Sequence, residues 1–333
     1  MIRSLCFDLD AHQLKTNLTP AEYATVLADS AALLWVDFEN EPLEIAEPIL
    51  RDTFGFHPLA VDDAVRESHV PKVDDWSDYL YIVMHAIAFD PQEIGDLDTK
   101  ELDVFLGRNY LVTHHADQIS AIERVWDLCH RDERHWRNGV DHLFYKVADE
   151  LVESYMPVVE IMDEEIERIE DIVFGNGSAA ALQDIFGLKR AAVTLRRIIG
   201  PQRETINKLA RDEYAVIDVR TRIYFRDVYD HLVRMHDITE SIRDLISSTL
   251  DSYLSVINNR MNEVMKTLTI ITTLFMPLTF LTGFFGMNFF AALGDLPAWT
   301  SMPVFILVLL VCLFMPLAMF IWMRRRGWMK KVP

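Results

Sequence analysis

Apolar and polar residues alternate along three early runs, LLWVDFE at 33–39, DYLYIVMHAIAFD at 78–90 and ELDVFLGRNYLVTHH at 101–115. Period-2 alternation is the mark of strands with one face on a core. Stretches around 42–54 and 119–136 instead space their apolar residues three and four apart, as helices do when one side is covered. The mixture predicts an α/β domain over residues 1–145. After that the strand pattern disappears. Residues 146–212 read as an acidic helical hairpin, with one helix running to 174, a turn at GNGS (175–178) and a second helix towards 210. Residues 213–286 read as one long helix, because no proline lies between Pro201 and Pro277 and no glycine between Gly200 and Gly283. Past a break near 211–214 nothing interrupts it, and some 70 helical residues would make a rod about 100 Å long.

The end of that rod changes character. Between residues 267 and 323 the sole charged side chain is Asp295. Residues 303–323 are free of charge and, at about 1.5 Å per residue, extend roughly 31 Å, the thickness of a hydrocarbon core. They predict one membrane span. Residues 267–285 predict another, but one carrying Thr267, Thr269, Thr272, Thr273, Thr279 and Thr282, more hydroxyls than a helix surrounded by lipid needs. Arg260 and Lys266 precede the first span, and Arg324, Arg325, Arg326, Lys330 and Lys331 follow the second, whereas the connection has no Lys or Arg. The positive-inside rule then puts both termini, including the basic tail 324–333, in the cytoplasm and the loop 287–302 outside. Pro277 and Pro316 interrupt the backbone ladder of the spans, which membrane helices tolerate when hydroxyls or neighbours satisfy the freed carbonyls.

Overall charge sharpens this picture. The chain has 32 Lys and Arg against 51 Asp and Glu, a formal net charge of −19, and the acids concentrate before the spans. Such a surface repels nucleic acid and gathers cations. Cys6, Cys129 and Cys312 show no paired spacing, which points to a reducing compartment without a disulfide framework. The start MIRSLCFDLD reaches an acid at Asp8 before an apolar stretch forms, unlike a signal peptide. Neither G-x-G-x-x-G nor G-x-x-x-x-G-K-[ST] occurs, so no nucleotide is expected. Transport, if any, would be passive or driven by a gradient.

One helical face explains the hydroxyls. Steps of four and three along the rod pass through Asp237, Ser241, Asp244, Ser248, Asp251, Ser255, Asn258, Asn262, Met265, Thr269, Thr272, Met276, Thr279, Gly283 and Gly286, without one Leu, Ile, Val or Phe. A 3.5-residue repeat keeps one face towards a bundle axis, and in a closed coiled coil that face is aliphatic. Here it is polar or small, while flanking positions such as Ile242, Leu245, Tyr253, Val264, Leu268, Ile271 and Phe275 are largely apolar. A symmetric ring of copies around a watery lumen satisfies both faces. For the soluble stretch alone a solvated helix face serves as well, and the seam by itself names no ion.

The segment MNEVMKTLTIITTLFMPLTFLTGFFGMNF (261–289) resembles the signature region of the CorA family of magnesium and cobalt transporters, ending in Gly286, Met287 and Asn288. The strand WVDF (35–38), HPLAVDDA (57–64), PKVDDW (71–76) and YFRDVYDH (224–231) are also similar to family patterns. The resemblance implies an α+β protein assembled as a funnel-shaped homopentamer of identical subunits, with the first span lining the pore. Asn288 would ring the outer mouth, with Asn262, Thr272 and Thr279 deeper in, Gly283 on the wall, Met265, Leu268 and Met276 as apolar constrictions that close by dewetting, and Asn258 and Asp251 towards the cytoplasmic mouth. Mg²⁺ sheds water reluctantly, so neutral oxygens that bind its hydration shell would select it. The resemblance further implies regulatory metal sites where Asp63, with Asp62 beside it, faces Asp227 of the next subunit, so that cytoplasmic Mg²⁺ holds the pore closed.

One departure stands out: the loop FFAALGDLPAWTS (289–301) has Asp295 as its sole acid, where many family members carry an MPE-like segment. Preference for Mg²⁺ over Co²⁺, Ni²⁺ or Zn²⁺ is therefore open, and a proton-coupled zinc transporter like ZntB is the nearest competitor. A membrane-tethered metal sensor that conducts nothing is a third reading. The eleven histidines, Cys129–His130–His135 among them, lack the second thiolate or ordered spacing of a transition-metal site, and no catalytic motif indicates an enzyme.

Overall fold

The computed structural model describes residues 1–66, 70–89, 97–175, 179–287 and 302–328. They form two units, residues 1–253 and 254–333, which are described separately.

The first unit is built on a seven-stranded sheet in the order β2-β1-β3-β7-β6-β5-β4. The strands are β1 (Ile2–Asp8), β2 (Gln13–Thr16), β3 (Ala32–Glu39), β4 (Lys72–Asp75), β5 (Leu80–Phe89), β6 (Leu97–Leu106) and β7 (Tyr110–His115). Among the described residues only β3 and β7 pair in parallel, with Trp35 opposite Leu111 and Asp37 opposite Thr113. The three alternating runs are β3, β5 and the β6–β7 hairpin, respectively. Because side chains alternate between faces, each strand feeds two layers.

One layer packs Leu34, Val36, Tyr81, Val83, Phe105 and Val112 against Ala46, Leu50, Phe56, Ala60, Val61 and Ala64, contributed by α2 (Leu43–Pro48), α3 (Pro58–Arg66) and the segment between them. The Phe56 ring stacks on Phe105 at 4.1 Å. Helix α1 (Pro20–Leu27) adds Tyr23 to the same cluster. On the other face Trp35 meets Trp126 of α4 (Ser120–Arg131) edge-on at 4.9 Å. Beside them Arg3 bonds Asp37 through Nε at 2.9 Å and Glu123 through both terminal nitrogens at 3.0 and 2.6 Å. Asp37 is fully buried and also takes hydrogen bonds from Thr113 and His115. Burial pushes its carboxyl up, yet the bond and charge of His115, with Arg3 and Thr113, leave it below the usual range. A buried charge persists when it is paired and hydrogen-bonded in this way.

The expected single acidic helix to residue 174 is two helices, α5 (Val140–Glu153) and α6 (Met156–Gly175). The break has a purpose in packing. Tyr155 is wholly buried, and its hydroxyl donates to the carbonyl of His85 and accepts from Gln202 Nε2 at 2.7 Å. Gln202 Oε1 in turn accepts from the His85 amide at 3.0 Å, which ties α7 (Ala179–Arg211) to β5. Pro157 then falls in the first turn of α6, where a missing N–H costs nothing. The expected turn at GNGS lies mostly at 176–178, outside the described residues. The expected break after 211 is present: α8 begins at Val219 and runs to Phe285, 67 residues with Pro277 inside it.

Within the first unit α8 buries Thr221, Phe225, Val228, Leu232, Met235, Thr239, Ile242, Ile246, Thr249 and Tyr253, a stripe at helical spacing. Phe225 meets Phe144 of α5 at 5.6 Å. The second unit comprises the rest of α8 and α9 (Met302–Arg325). Its large apolar side chains, among them Phe275, Phe280, Phe305, Leu307 and Leu313, are exposed. Among the described residues these are the two helices long and apolar enough to cross a membrane, matching the two spans expected from the sequence.

Candidate functional site

The polar seam lies on one continuous helix. Asp237, Ser241, Asp244, Ser248, Asp251 and Ser255 are exposed while Thr239, Ile242, Ile246, Thr249 and Tyr253 are buried, so α8 turns the seam away from its own subunit's core. Asn258, Asn262, Met265, Leu268, Thr272, Met276, Thr279, Gly283, Gly286 and Met287 are likewise exposed. The structure therefore brings the expected pore residues from Asp251 to Gly283 onto one element, with Gly286 and Met287 in the turn that follows it. Asn288 lies outside the described residues.

The threonines show what such a face offers a solute. Thr269 donates to the Met265 carbonyl at 2.8 Å, Thr272 to Leu268 at 2.9 Å and Thr279 to Phe275 at 3.0 Å. Each hydroxyl proton is thus committed to the carbonyl four residues back, a pattern available to Thr in helices. What remains outward is a pair of lone pairs and a methyl group. At the end of the helix Gly286 donates its amide to Thr282 at 2.9 Å. A Cβ added at Gly286 would lie 2.8 Å from that same carbonyl oxygen, so glycine is what lets the chain close the helix there.

The three regulatory candidates fall on two helices of the first unit. Asp62 and Asp63 are on α3, Asp227 on α8. Asp62 pairs with Arg66 at 3.0 Å, and Asp63 with Lys72 of β4 at 2.5 Å. Among the described residues no hydrogen bond or ion pair joins Asp227 to either acid within the chain. Asp227 is exposed and its field reaches Asp149 on α5. Burial raises the Asp149 carboxyl; a hydrogen bond from Tyr145 and the His231 charge oppose this, while Asp227 and Glu150 add to it. Tyr145 donates to Asp149 at 3.2 Å.

Lys72, Asp74 and Asp149 are residues that pattern reasoning passed over. Lys72 and Asp74 had a readable signal, since positions two apart on a strand share a face. Asp149 did not, because Asp227 and His231, which act on it alongside its own helix neighbours, come from a helix about 80 residues away. Among the described residues no group of three His, Cys, Asp or Glu within the chain is arranged to hold a metal. Burial also pushes the Cys129 thiol up to about 12, against the opposing charge of Lys146.

Comparison with known proteins bears on this arrangement. The chain is 33% identical over 317 residues to YfjQ of Bacillus subtilis, provisionally named a metal ion transporter, covering 95% of each. It is 34% identical over 277 residues to the cobalt/magnesium transport protein CorA of Thermotoga maritima, covering 81% of this chain and 77% of that one. The complete structure of the CorA magnesium transporter from Methanocaldococcus jannaschii superposes with a TM-score of 0.83 at 24% identity, covering 98% of both chains; that likeness bears on the fold. Residues 30–325 match the model of the CorA-like Mg²⁺ transporter protein family, from the third strand to the end of the second apolar helix, and the chain belongs to that family.

Proposed function

We propose that the chain is the subunit of a passive divalent-cation channel in the inner or plasma membrane, with both termini cytoplasmic. Five copies surround an axis lined by the seam of α8. Mg²⁺ is the principal ion, with Co²⁺ or Ni²⁺ as further cargo. The observation that carries this reading is the membrane part of the seam, where Thr269, Thr272 and Thr279 have spent their protons on their own helix. A hydrated Mg²⁺ presents only water protons outward, and such oxygens accept them. An anion would need donors and finds none from these side chains. Asn262 and Asn288 supply further carbonyl acceptors, and Met265, Leu268 and Met276 form apolar collars that water can leave. The relatives' names, cobalt/magnesium and metal ion transporter, agree with this cargo.

Gating follows from repulsion between acids. Asp63, with Asp62, approaches Asp227 of the adjoining copy, and Asp227 already acts on Asp149 of its own chain, so several carboxylates gather there. A divalent cation bound between copies offsets it and stabilises the closed ring, so a fall in cytoplasmic Mg²⁺ opens the pore.

Flux into proteoliposomes tests the reading, with Mg²⁺, Co²⁺ and Zn²⁺ offered in the presence and absence of a proton gradient. Mg²⁺ uptake independent of the gradient and abolished in Asn288→Ala is expected. Uptake of Zn²⁺ alone, and only with a proton gradient, would replace it with a proton-coupled zinc transporter. No flux of any ion from well-folded protein would leave a non-conducting sensor.

A further inference from the structure

A cation already rests against the acid read as regulatory, and the chain itself provides it. Lys72 places Nζ 2.5 Å from Asp63 Oδ2 and 3.0 Å from Asp74 Oδ2. The sheet register accounts for the meeting. Lys72 lies opposite Val83 and Asp74 opposite Tyr81, so both side chains leave β4 on the face that packs against α3. The Tyr81 ring lies under the ammonium, 5.1 Å from Nζ, and is itself fixed by its hydroxyl donating to Asp103 at 2.6 Å. Burial works against a charge on Lys72, but the hydrogen bonds and charges of Asp63 and Asp74 outweigh it and hold its pKa above the ordinary value. The ammonium stays charged. Its side chain is 30% exposed, whereas Arg66 beside Asp62 is 77% exposed. Solvent screens the arginine pair much more than the lysine one.

We propose that Lys72 is a tethered counter-cation of the Asp63 site, which competes with divalent metal for Asp63 and so sets the Mg²⁺ concentration at which the site fills. The inference rests on Asp63 being a regulatory cation ligand. A carboxylate neutralised by an ammonium attracts a second cation less, and Mg²⁺ arriving at Asp63 is repelled by Nζ until the lysine withdraws. Asp74 makes withdrawal inexpensive, because the ammonium keeps one partner when it gives up the other. Lys72 therefore has two resting places, one with Asp63 and one without, and metal selects between them.

The experiment is a Mg²⁺ titration of the full chain in detergent, read as protection from limited proteolysis, for wild type, Lys72→Met, Lys72→Arg and Asp63→Asn. Lys72→Met should lower the Mg²⁺ midpoint roughly fivefold, the scale of one partly exposed charge pair, and Lys72→Arg should stay close to wild type. If Asp63→Asn leaves the titration unchanged, the regulatory reading fails and takes this inference with it. If Asp63→Asn shifts the titration but Lys72→Met leaves the midpoint in place or raises it, only the role of Lys72 is overturned. Should Lys72→Met lose its cooperative melting transition, Lys72→Gln, which keeps a polar group over the Tyr81 ring, is read by the same criteria.

Discussion

Asp103 is a carboxylic acid sealed into the sheet, with Tyr81 donating to one oxygen at 2.6 Å and His114 Nδ1 3.8 Å from the other. Burial pushes it up to about 6; the nearby His114 imidazole and the hydrogen bond from Tyr81 oppose this, and the charge of Glu101 adds to it. The sign of the pH effect follows. Below about pH 4 the acid is protonated whether folded or not and contributes nothing; between there and pH 6 the folded chain holds a proton that the unfolded chain has lost, and stability falls. Above pH 6 the full cost remains, about 3 kcal/mol at most. Asp103→Asn removes it, keeps an oxygen for Tyr81 and offers an amide towards His114 Nδ1, which has no hydrogen-bond partner. The variant should melt several degrees above wild type at pH 7.5 and level with it at pH 4; a stabilisation equal at both values would rule out the ionisation argument. On the opposite face the signs differ. Burial lowers His115, but Asp37 raises it beyond that, so its contribution is complete below about pH 6.5 and fades as pH rises through its raised folded value. His115→Gln should accordingly cost more stability at pH 6 than at pH 9, by thermal melts, and an equal loss would mean that shape alone matters there. Neither network was legible beforehand. Alternation correctly puts Asp37 on the face of Trp35, but partners such as Thr113, 76 residues away, come from the fold.

Among the elements, α8 was the most legible, because the absence of Gly and Pro between Pro201 and Pro277 and a 3.5-residue seam are local properties of sequence. Strands β3, β5, β6 and β7 were readable by alternation. Strands β1 and β2 and helix α1 were not, since Ile2–Asp8 buries Leu5 and Phe7 on one face and Ser4 and Cys6 on the other, so the period disappears. The division of α5 from α6 escaped because both halves have helical periodicity and the break exists to bury Tyr155. The seam itself makes a distinction between threonines that composition cannot. Thr279 lies on it and Thr282 does not, although both bond the carbonyl four residues back at 3.0 and 2.9 Å. Thr279→Val keeps the shape and removes the lone pairs, and should reduce Mg²⁺ flux in proteoliposomes at least about tenfold if the ring of oxygens is lost from the lumen. Thr282→Val should leave flux within about twofold. Equal effects of the two would place the seam away from the conducting path.

For the whole molecule, family and fold were legible from the segment ending in Gly286, Met287 and Asn288 together with the two spans, because a membrane forces long apolar helices into view. The acids proposed as regulatory were legible only through resemblance: in a chain with 51 acids no single carboxylate stands out, and their meeting would involve more than one copy. The charge makes its own prediction. A ligand that binds only the folded assembly stabilises it by mass action, whereas a salt merely screens. Saturating Mg²⁺ should therefore raise the melting temperature several degrees more than NaCl of equal ionic strength, and the excess should shrink in Asp227→Asn. Matching shifts for the two salts would leave no role for bound metal in the closed form.

The two borders of the sheet limit how copies can associate. Both outermost strands are only four residues long, and they read QLKT and KVDD, with Lys15 on one and Lys72, Asp74 and Asp75 on the other. Short, charged margins discourage a foreign strand from docking alongside. In the proposed ring, copies of this chain would consequently have no ribbon to splice, and their recognition of one another would be left to helix faces, where a change of a few side chains could loosen or tighten the ring without unravelling any one member.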